Sequence, residues 1–148
     1  MKRTYLITLF VFIFSVIYIQ NSLHTLAEKN GILPANKEKH FISAKEFFLS
    51  GKLTGYSQFK EAEINIQQEL LYKDLRQFIK SNVKDYYYIN LVNIYSNPNK
   101  NVSPNRQVYF YCSILNNEKT IKYNYIIWDA ESSKPIAKGR GYKSKEKD

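Results

Sequence analysis

The amino-acid sequence predicts an α+β protein: an N-terminal membrane-spanning helix, then a short and a long helix packed on a three- to four-stranded antiparallel sheet. Three observations predict this class. An uncharged apolar run follows two cations at the start of the chain. Apolar residues between positions 57 and 82 recur at helical spacing, and from position 85 they alternate with the period of two typical of strands. One face of that sheet is apolar, and the long helix is large enough to cover it.

The N-terminal segment directs the chain to a membrane. Lys2 and Arg3 precede an apolar run over residues 5–19. As a helix rising about 1.5 Å per residue, this run reaches only about 23 Å. A spanning helix usually contains about 20 apolar residues. The span is therefore complete if the helix continues to residue 26, with its polar end among the lipid headgroups.

A cleaved signal peptide is the alternative interpretation, because Thr25-Leu26-Ala27 has the small-x-small spacing of a cleavage site. Residues 1–27 are thus predicted to be an anchor that contacts the membrane through residues 5–26, or a signal peptide. Positive charge tends to stay in the cytoplasm, and here it precedes the apolar run. We expect a single-pass inner-membrane protein with its N-terminus inside and its domain outside, or a secreted, periplasmic protein after cleavage.

Composition limits the class of the exported part. Cys112 is the only cysteine, so neither a disulfide framework nor a cysteine-based zinc site is expected. The chain contains 13 tyrosines, whose rings with polar tips suit half-exposed sheet positions. The net charge is +9, and without Lys2 and Arg3 the chain still has 20 basic against 13 acidic residues. Such a surface is either simply solvated or complementary to an acidic protein or anionic headgroups.

A linker and a short helix begin the exported part. Residues 28–42 are predicted to be a linker, interrupted by Gly31 and Pro34. Ser43-Ala-Lys-Glu46 has the spacing of a capping box, in which each side chain accepts a hydrogen bond from the other residue's backbone N–H. A short helix is expected to follow Ser43 and to stop at Gly51.

The second predicted helix is long and covers residues 57–82. Its apolar residues recur three and four positions apart, which is the spacing of a helix with one buried side. These residues are Phe59, Ala62, Ile66, Leu70, Leu71, Leu75, Phe78 and Ile79.

Strands make up the second half of the chain. They are predicted over residues 86–95, 106–115, 120–128 and 136–142. Asn116-Asn117 suits the tight turn of a hairpin, and Gly139 and Gly141 are expected to weaken the short fourth strand. The exported part is therefore expected to be a single domain over residues 43–142, followed by a charged tail over residues 143–148.

This order of elements resembles that of cystatin-like and NTF2-like α+β domains, including the exported domains of some secretion and conjugation machinery. The resemblance is one of topology, and it implies a curved antiparallel sheet wrapped on a helix. It carries no functional residues over to this chain.

A polar and aromatic face of the predicted sheet is the candidate protein-binding site. Tyr109 and Tyr111 on the second strand share this face with Lys122 and Trp128 on the third. Tyrosine and tryptophan bury a large area at low entropic cost, as protein-binding patches require. If the short helix or the linker covers these rings, they form a second core instead.

Residues with catalytic potential are scarce. His24 and His40 lie in the predicted anchor end and linker, and the sequence contains neither an HExxH motif nor a glycine-rich phosphate loop. Cys112 shares one face of its predicted strand with Phe110 and Ile114, so its thiol is expected to be buried and inert. We expect no catalytic residue, metal or cofactor. No nucleic-acid partner is expected either, because the chain has an export signal and no RNP-like motif.

These observations predict a non-enzymatic, membrane-anchored exported module that binds another, acidic protein, as a subunit or assembly factor of an envelope or secretion complex. The first alternative is an immunity or inhibitor protein that neutralises a toxin or enzyme at the membrane. The second is a small enzyme on an NTF2-like scaffold, with Asp85, Asp129 and tyrosines as acid–base candidates.

Overall fold

The computed structural model of the chain describes residues 31–83 and 99–145. They form an α+β fold with a four-stranded antiparallel sheet in the order β1-β2-β3-β4. The two helices are α1 (Ala44–Leu49) and α2 (Leu75–Asn82), and the strands are β1 (Ile64–Leu71), β2 (Gln107–Asn116), β3 (Thr120–Asp129) and β4 (Pro135–Ser144).

Helix α1 confirms the predicted capping box. The backbone N–H of Glu46 donates to the Ser43 hydroxyl at 3.2 Å, and the Glu46 carboxylate accepts from the Ser43 N–H at 2.9 Å. The helix ends at Leu49, and Gly51 follows with φ at 72°, a left-handed conformation that favours glycine.

The long helix predicted over residues 57–82 is wrong as far as residue 71. Residues 64–71 are strand β1, in which Ile66 lies opposite Cys112 of β2. After a 3₁₀ turn over residues 72–74, only α2 is helical. Ile66 and Leu70 fit a period of two as well as a helical one, and in the strand they pack with Ile64 on the same core. Pairing with β2 therefore overrides the helical spacing.

The three strands predicted after residue 105 are confirmed. β2 and β3 form the expected hairpin, whose turn is closed by the Asn117 side chain accepting from the backbone N–H of Thr120 at 2.7 Å. β4 pairs with β3 along its length, with one register shift between Ile127 and Trp128. The predicted anchor over residues 1–27 and the strand predicted over residues 86–95 lie outside the described residues. Within the described ranges, no helix is long and apolar enough to cross a membrane.

Alternate residues of the sheet face two separate cores. The aliphatic core lies between the sheet and α2, where Leu75 and Ile79 pack with both side chains fully buried. Its other buried members are Val83, Val108, Phe110, Cys112, Ile114, Ile121, Tyr125 and Ile127. The aromatic core lies on the opposite face, under α1 and the chain on either side of it. Its buried members are Ala44, Phe47, Tyr109, Tyr111, Ile126, Trp128 and Ala130.

A buried ion pair fastens the chain before α1 to the end of the sheet. The guanidinium of Arg106 donates to both carboxylate oxygens of Asp129, at 2.6 and 2.8 Å, and both side chains are fully buried. Arg106 also donates to the carbonyl of Pro34 at 3.0 Å and pairs with Glu131 at 2.6 Å. Asn36 adds a bond from its amide to Glu131 at 3.2 Å. These bonds fix where the chain enters the aromatic side of the sheet.

Candidate protein-binding edge

The residues predicted as an aromatic binding patch do not form one exposed surface. Tyr109, Tyr111 and Trp128 are at most 4% exposed. Phe47 of α1 stacks on Tyr109 with ring centroids 4.9 Å apart. The three rings therefore form the second core that was expected if the short helix covers them. Lys122 is exposed at the far end of the same face, six residues along β3 from Trp128.

The tyrosine hydroxyls explain why this face is aromatic. Tyr109 donates to the carbonyl of Ile42 at 2.7 Å, and Tyr111 donates to the carbonyl of Ala44 at 2.9 Å. Burial raises the pKa of Tyr109 to about 12 and also raises that of Tyr111. Both phenols therefore stay protonated as hydrogen-bond donors that hold α1 against the sheet.

One acid–base candidate of the enzyme alternative, Asp85, lies outside the described residues, and the other, Asp129, is buried at the end of the sheet. Burial alone would raise the pKa of Asp129, but hydrogen bonds from Arg106 and Ser132 outweigh it and hold that pKa below its ordinary value. Burial raises the pKa of the Cys112 thiol to about 12, which suits an inert core residue. Within residues 31–83 and 99–145, no group of three or more His, Cys, Asp or Glu side chains is arranged to hold a metal ion.

Strand β4 has a basic edge. Between residues 132 and 145 the chain contains five cations and no carboxylate. The cations are Lys134, Lys138, Arg140, Lys143 and Lys145. β4 is the last strand of the sheet, and no other strand among the described residues pairs with its outer side. The sequence alone did not single out this strand, because its cations were indistinguishable from ordinary surface charge.

The hydrogen bonds to β3 show which backbone groups of β4 point outward. The N–H of Lys145 donates to the carbonyl of Lys119 at 2.7 Å, in register with the pairing of Lys143 and Ile121. Residues of an antiparallel strand alternate between bonding to the neighbour and pointing away from it. Counting back from Lys145 in steps of two, Lys143, Gly141 and Gly139 therefore bond to β3 through their backbone groups, and the backbone groups of the residues between them point outward. The outward set in the middle of the strand is Lys138, Arg140 and Tyr142.

Two glycines allow tyrosine rings to cover the face of β4 that lies opposite to the side chains of Lys138 and Arg140. The ring of Tyr125 lies over Gly139, where an added Cβ would meet it at 2.5 Å, and Tyr123 lies over Gly141 in the same way. An aromatic ring across a glycine on the neighbouring strand shields its backbone and stabilises the sheet. Strand β4, which contains both glycines, extends to Ser144, two residues beyond the predicted end of the fourth strand.

A cavity lies beside the basic edge on the aromatic side of the sheet. Its volume is about 390 Å³, and Lys138 and Arg140 form one wall. Gly55 lies on the opposite side, in a loop that the Asn124 side chain holds by donating to the carbonyl of Ser57 at 2.9 Å. The described lining contains two cations and no carboxylate. This arrangement would accept an acidic side chain by charge-assisted hydrogen bonds.

The opposite edge of the sheet has a different character. A groove of about 700 Å³ lies between α1 and β1, and its lining mixes Lys37 and Lys45 with Gln67, Gln68 and Glu69. Burial raises the pKa of Glu69. Because cations, amides and a carboxylate share this groove, its charge selects no one class of partner.

No protein-family model matches the chain, and no curated protein or solved structure matches it either.

Proposed function

We propose that the protein is a membrane-anchored, exported module that binds another, acidic protein and catalyses no reaction. It acts as a subunit or assembly factor of an envelope or secretion complex, held at the membrane by the segment predicted over residues 1–27. The observation that supports binding is the basic β4 edge with its cavity between Lys138, Arg140 and the loop at Gly55. An acidic partner follows from the five cations around that edge.

The topology is compatible with this role. The order β1-α2-β2-β3-β4, with a helix packed on an antiparallel sheet, supports the cystatin-like part of the resemblance. A fold of this class has no function of its own, so the function lies in its surfaces. In the described part of this chain, each face of the sheet packs against a core. Backbone groups of the sheet point outward only at its two edges.

A cross-linked pull-down tests the proposal. The full chain, tagged at its C-terminus, is recovered from detergent-solubilised membranes beside the double variant Lys138→Glu/Arg140→Glu. The matched control is Lys73→Glu/Lys80→Glu, which makes the same charge change at exposed positions in and beside α2. We expect several envelope proteins at a fixed ratio with the parent and the control, and their loss with the edge variant. Equal recovery with all three proteins would contradict a role for the edge.

The nature of the partner separates an assembly subunit from an inhibitor. A single soluble exported partner, or recovery only after a toxin is supplied, would support the immunity or inhibitor alternative. Replacing residues 1–27 by an unrelated anchor sharpens this distinction. An assembly subunit is expected to lose function on the exchange, whereas an immunity protein retains it in the same compartment.

A further inference from the structure

We propose that β4 binds its partner by strand addition: an extended acidic segment of another protein pairs with the outer edge of β4 as a fifth strand. One of its carboxylates enters the cavity at Lys138 and Arg140. This inference rests on the proposed binding function and adds the mode of binding and the chemistry of the partner.

The backbone of β4 is arranged to accept a strand. Lys138, Arg140 and Tyr142 direct their N–H and C=O groups away from β3, and each supplies one donor and one acceptor. At about 3.4 Å per residue the stretch from Lys138 to Tyr142 is about 14 Å long, which suits a short extended peptide. Tyr142 is 69% exposed, and Lys138 and Arg140 are exposed as well.

The side chains of the same residues select acidic segments. Lys138 lies opposite Ile126 and Arg140 opposite Asn124, so both side chains project on the aromatic side of the sheet, where the cavity lies. A paired strand would place every second side chain on this side as well. Aspartate or glutamate at such a position reaches the ammonium of Lys138 and the guanidinium of Arg140.

Pairing between two copies of the chain, or simple protection of the edge, accounts less well for the basic strand. A second copy pairing through its own β4 would place the cations of both strands side by side, and like charges directly opposite are destabilising. Lysines also protect edge strands from uncontrolled pairing. Protection alone does not require a cavity built between Lys138, Arg140 and a loop held by Asn124.

Peptide binding to the full chain in a neutral detergent tests the proposal. The probe is a fluorescein-labelled peptide of about ten residues that alternates glutamate with valine. One matched peptide replaces a central glutamate and the valine beside it by proline and carries a further glutamate at its end, so it keeps the charge and lacks N–H groups needed for pairing in either strand direction. The other replaces glutamate by lysine. By fluorescence anisotropy we expect the acidic peptide to bind, the proline peptide to bind about tenfold more weakly, and the lysine peptide not to bind.

Variants then locate the peptide on β4. Lys138→Glu/Arg140→Glu is expected to weaken binding about tenfold, and Lys73→Glu/Lys80→Glu less than about twofold. Tyr142→Pro removes an outward N–H without changing the charge, so it is expected to weaken binding about fivefold. Tyr142→Ala keeps this N–H and is expected to bind the peptide like the parent. Circular dichroism checks that each variant folds. In the parent, the amides of Lys138, Arg140 and Tyr142 are expected to become protected from hydrogen exchange when the peptide is bound.

The outcomes distinguish the mode of binding from the function. Equal affinity for the acidic and proline peptides overturns strand addition and leaves charge attraction alone. Binding to vesicles containing an anionic phospholipid, with the same dependence on Lys138 and Arg140 and no peptide binding, assigns the edge to a membrane surface and overturns the proposal. If the peptides fail but the pull-down still depends on these two residues, the binding function stands and its mode is wrong.

Discussion

The two faces of the sheet are covered by different means. On the aliphatic side, helix α2 satisfies its own backbone internally and contributes Leu75 and Ile79 to the core. On the aromatic side, the cover is the six-residue helix α1 and irregular chain, whose carbonyls have few partners within the segment. Tyr109 and Tyr111 supply those partners from the sheet.

This difference shows why the aromatic face resembles a binding surface in sequence. Buried backbone carbonyls need donors, and a tyrosine provides both a large apolar ring and one donor at its tip. The residue types that suit a protein interface therefore also suit a core covered by irregular chain. Position along the strand alone does not separate the two cases.

Among the variants that test this difference between the two faces, Arg106→Met is expected to lower the free energy of unfolding most. The substitution leaves Asp129 buried without its guanidinium and frees the carbonyl of Pro34, so the cover of the aromatic face loses its attachment. Breaking a buried ion pair from one side costs about 3–5 kcal/mol of unfolding free energy. Urea unfolding in mild detergent measures it, with Trp128, the only tryptophan, as the fluorescent reporter.

Lys39→Met is the matched control for this variant. Lys39 pairs with Glu131 at the outer side of the same cluster, and its side chain is 48% exposed. An exposed pair contributes less than about 1 kcal/mol. Equal losses from Arg106→Met and Lys39→Met would show that the buried pair does not fasten the cover.

The aliphatic side is probed by Ile79→Ala. Ile79 is fully buried between α2 and the sheet, and its truncation leaves a cavity in a closely packed core. The expected loss is about 2–5 kcal/mol of unfolding free energy. Lys80→Ala at the next, exposed position of α2 is expected to change it by less than about 0.5 kcal/mol. A similar loss at both positions would show that burial of Ile79 against the sheet does not determine the effect.

The parts of the fold predicted correctly from sequence have strong local signals. The capping box defines α1, and strict alternation with a turn at Asn117 defines the β2-β3 hairpin. The spacing predicts helix in place of strand β1 because Ile66 and Leu70 fit both periods, and only pairing with β2 distinguishes a strand from a helix here. Local spacing carries no information about such a distant partner.

The candidate site depends even more on distant contacts. Alternation correctly predicts that Tyr109, Tyr111 and Trp128 share one face. The cover of that face by α1 is made by contacts between residues distant in sequence, as in the bonds from Tyr109 and Tyr111 to the chain at residues 42 and 44, each 67 positions away. The β4 edge was missed for a similar reason. Its recognition depends on the register with β3, which places Lys138 and Arg140 on one face and one tyrosine ring over each of Gly139 and Gly141 on the other.

A smaller effect is expected from Tyr111→Phe, which tests how the aromatic face is covered. The ring remains, but the carbonyl of Ala44, the first residue of α1, loses the phenol as a donor. Removing one hydrogen bond costs about 0.5–1.5 kcal/mol. Tyr142→Phe is the control, since Tyr142 is 69% exposed, and it is expected to leave the urea midpoint unchanged. If Tyr111→Phe also leaves the midpoint unchanged, packing of the rings alone covers this face.

Acid is expected to weaken the attachment of the aromatic cover before it affects the aliphatic core. Burial raises the pKa values of Asp129 and Glu131, but hydrogen bonds outweigh it, from Arg106 and Ser132 to Asp129 and from Lys39 and Asn36 to Glu131. Both pKa values therefore lie below their ordinary values in the folded state. The stability that these groups contribute is complete above about pH 4 to 5 and is lost as pH falls through the folded values.

The urea midpoint measured between about pH 2 and 7 checks this sign, because stability must decline on the acid side. Glu131→Gln removes one of the two carboxylates while its side chain can still accept from Asn36, so the acid decline of this variant is expected to be shallower than that of the parent. Glu118→Gln, at an exposed position in the β2-β3 turn, is the control and is expected to follow the parent. A parallel decline of Glu131→Gln and the parent would show that the carboxylate charge of Glu131 does not help to hold the cover on the aromatic face.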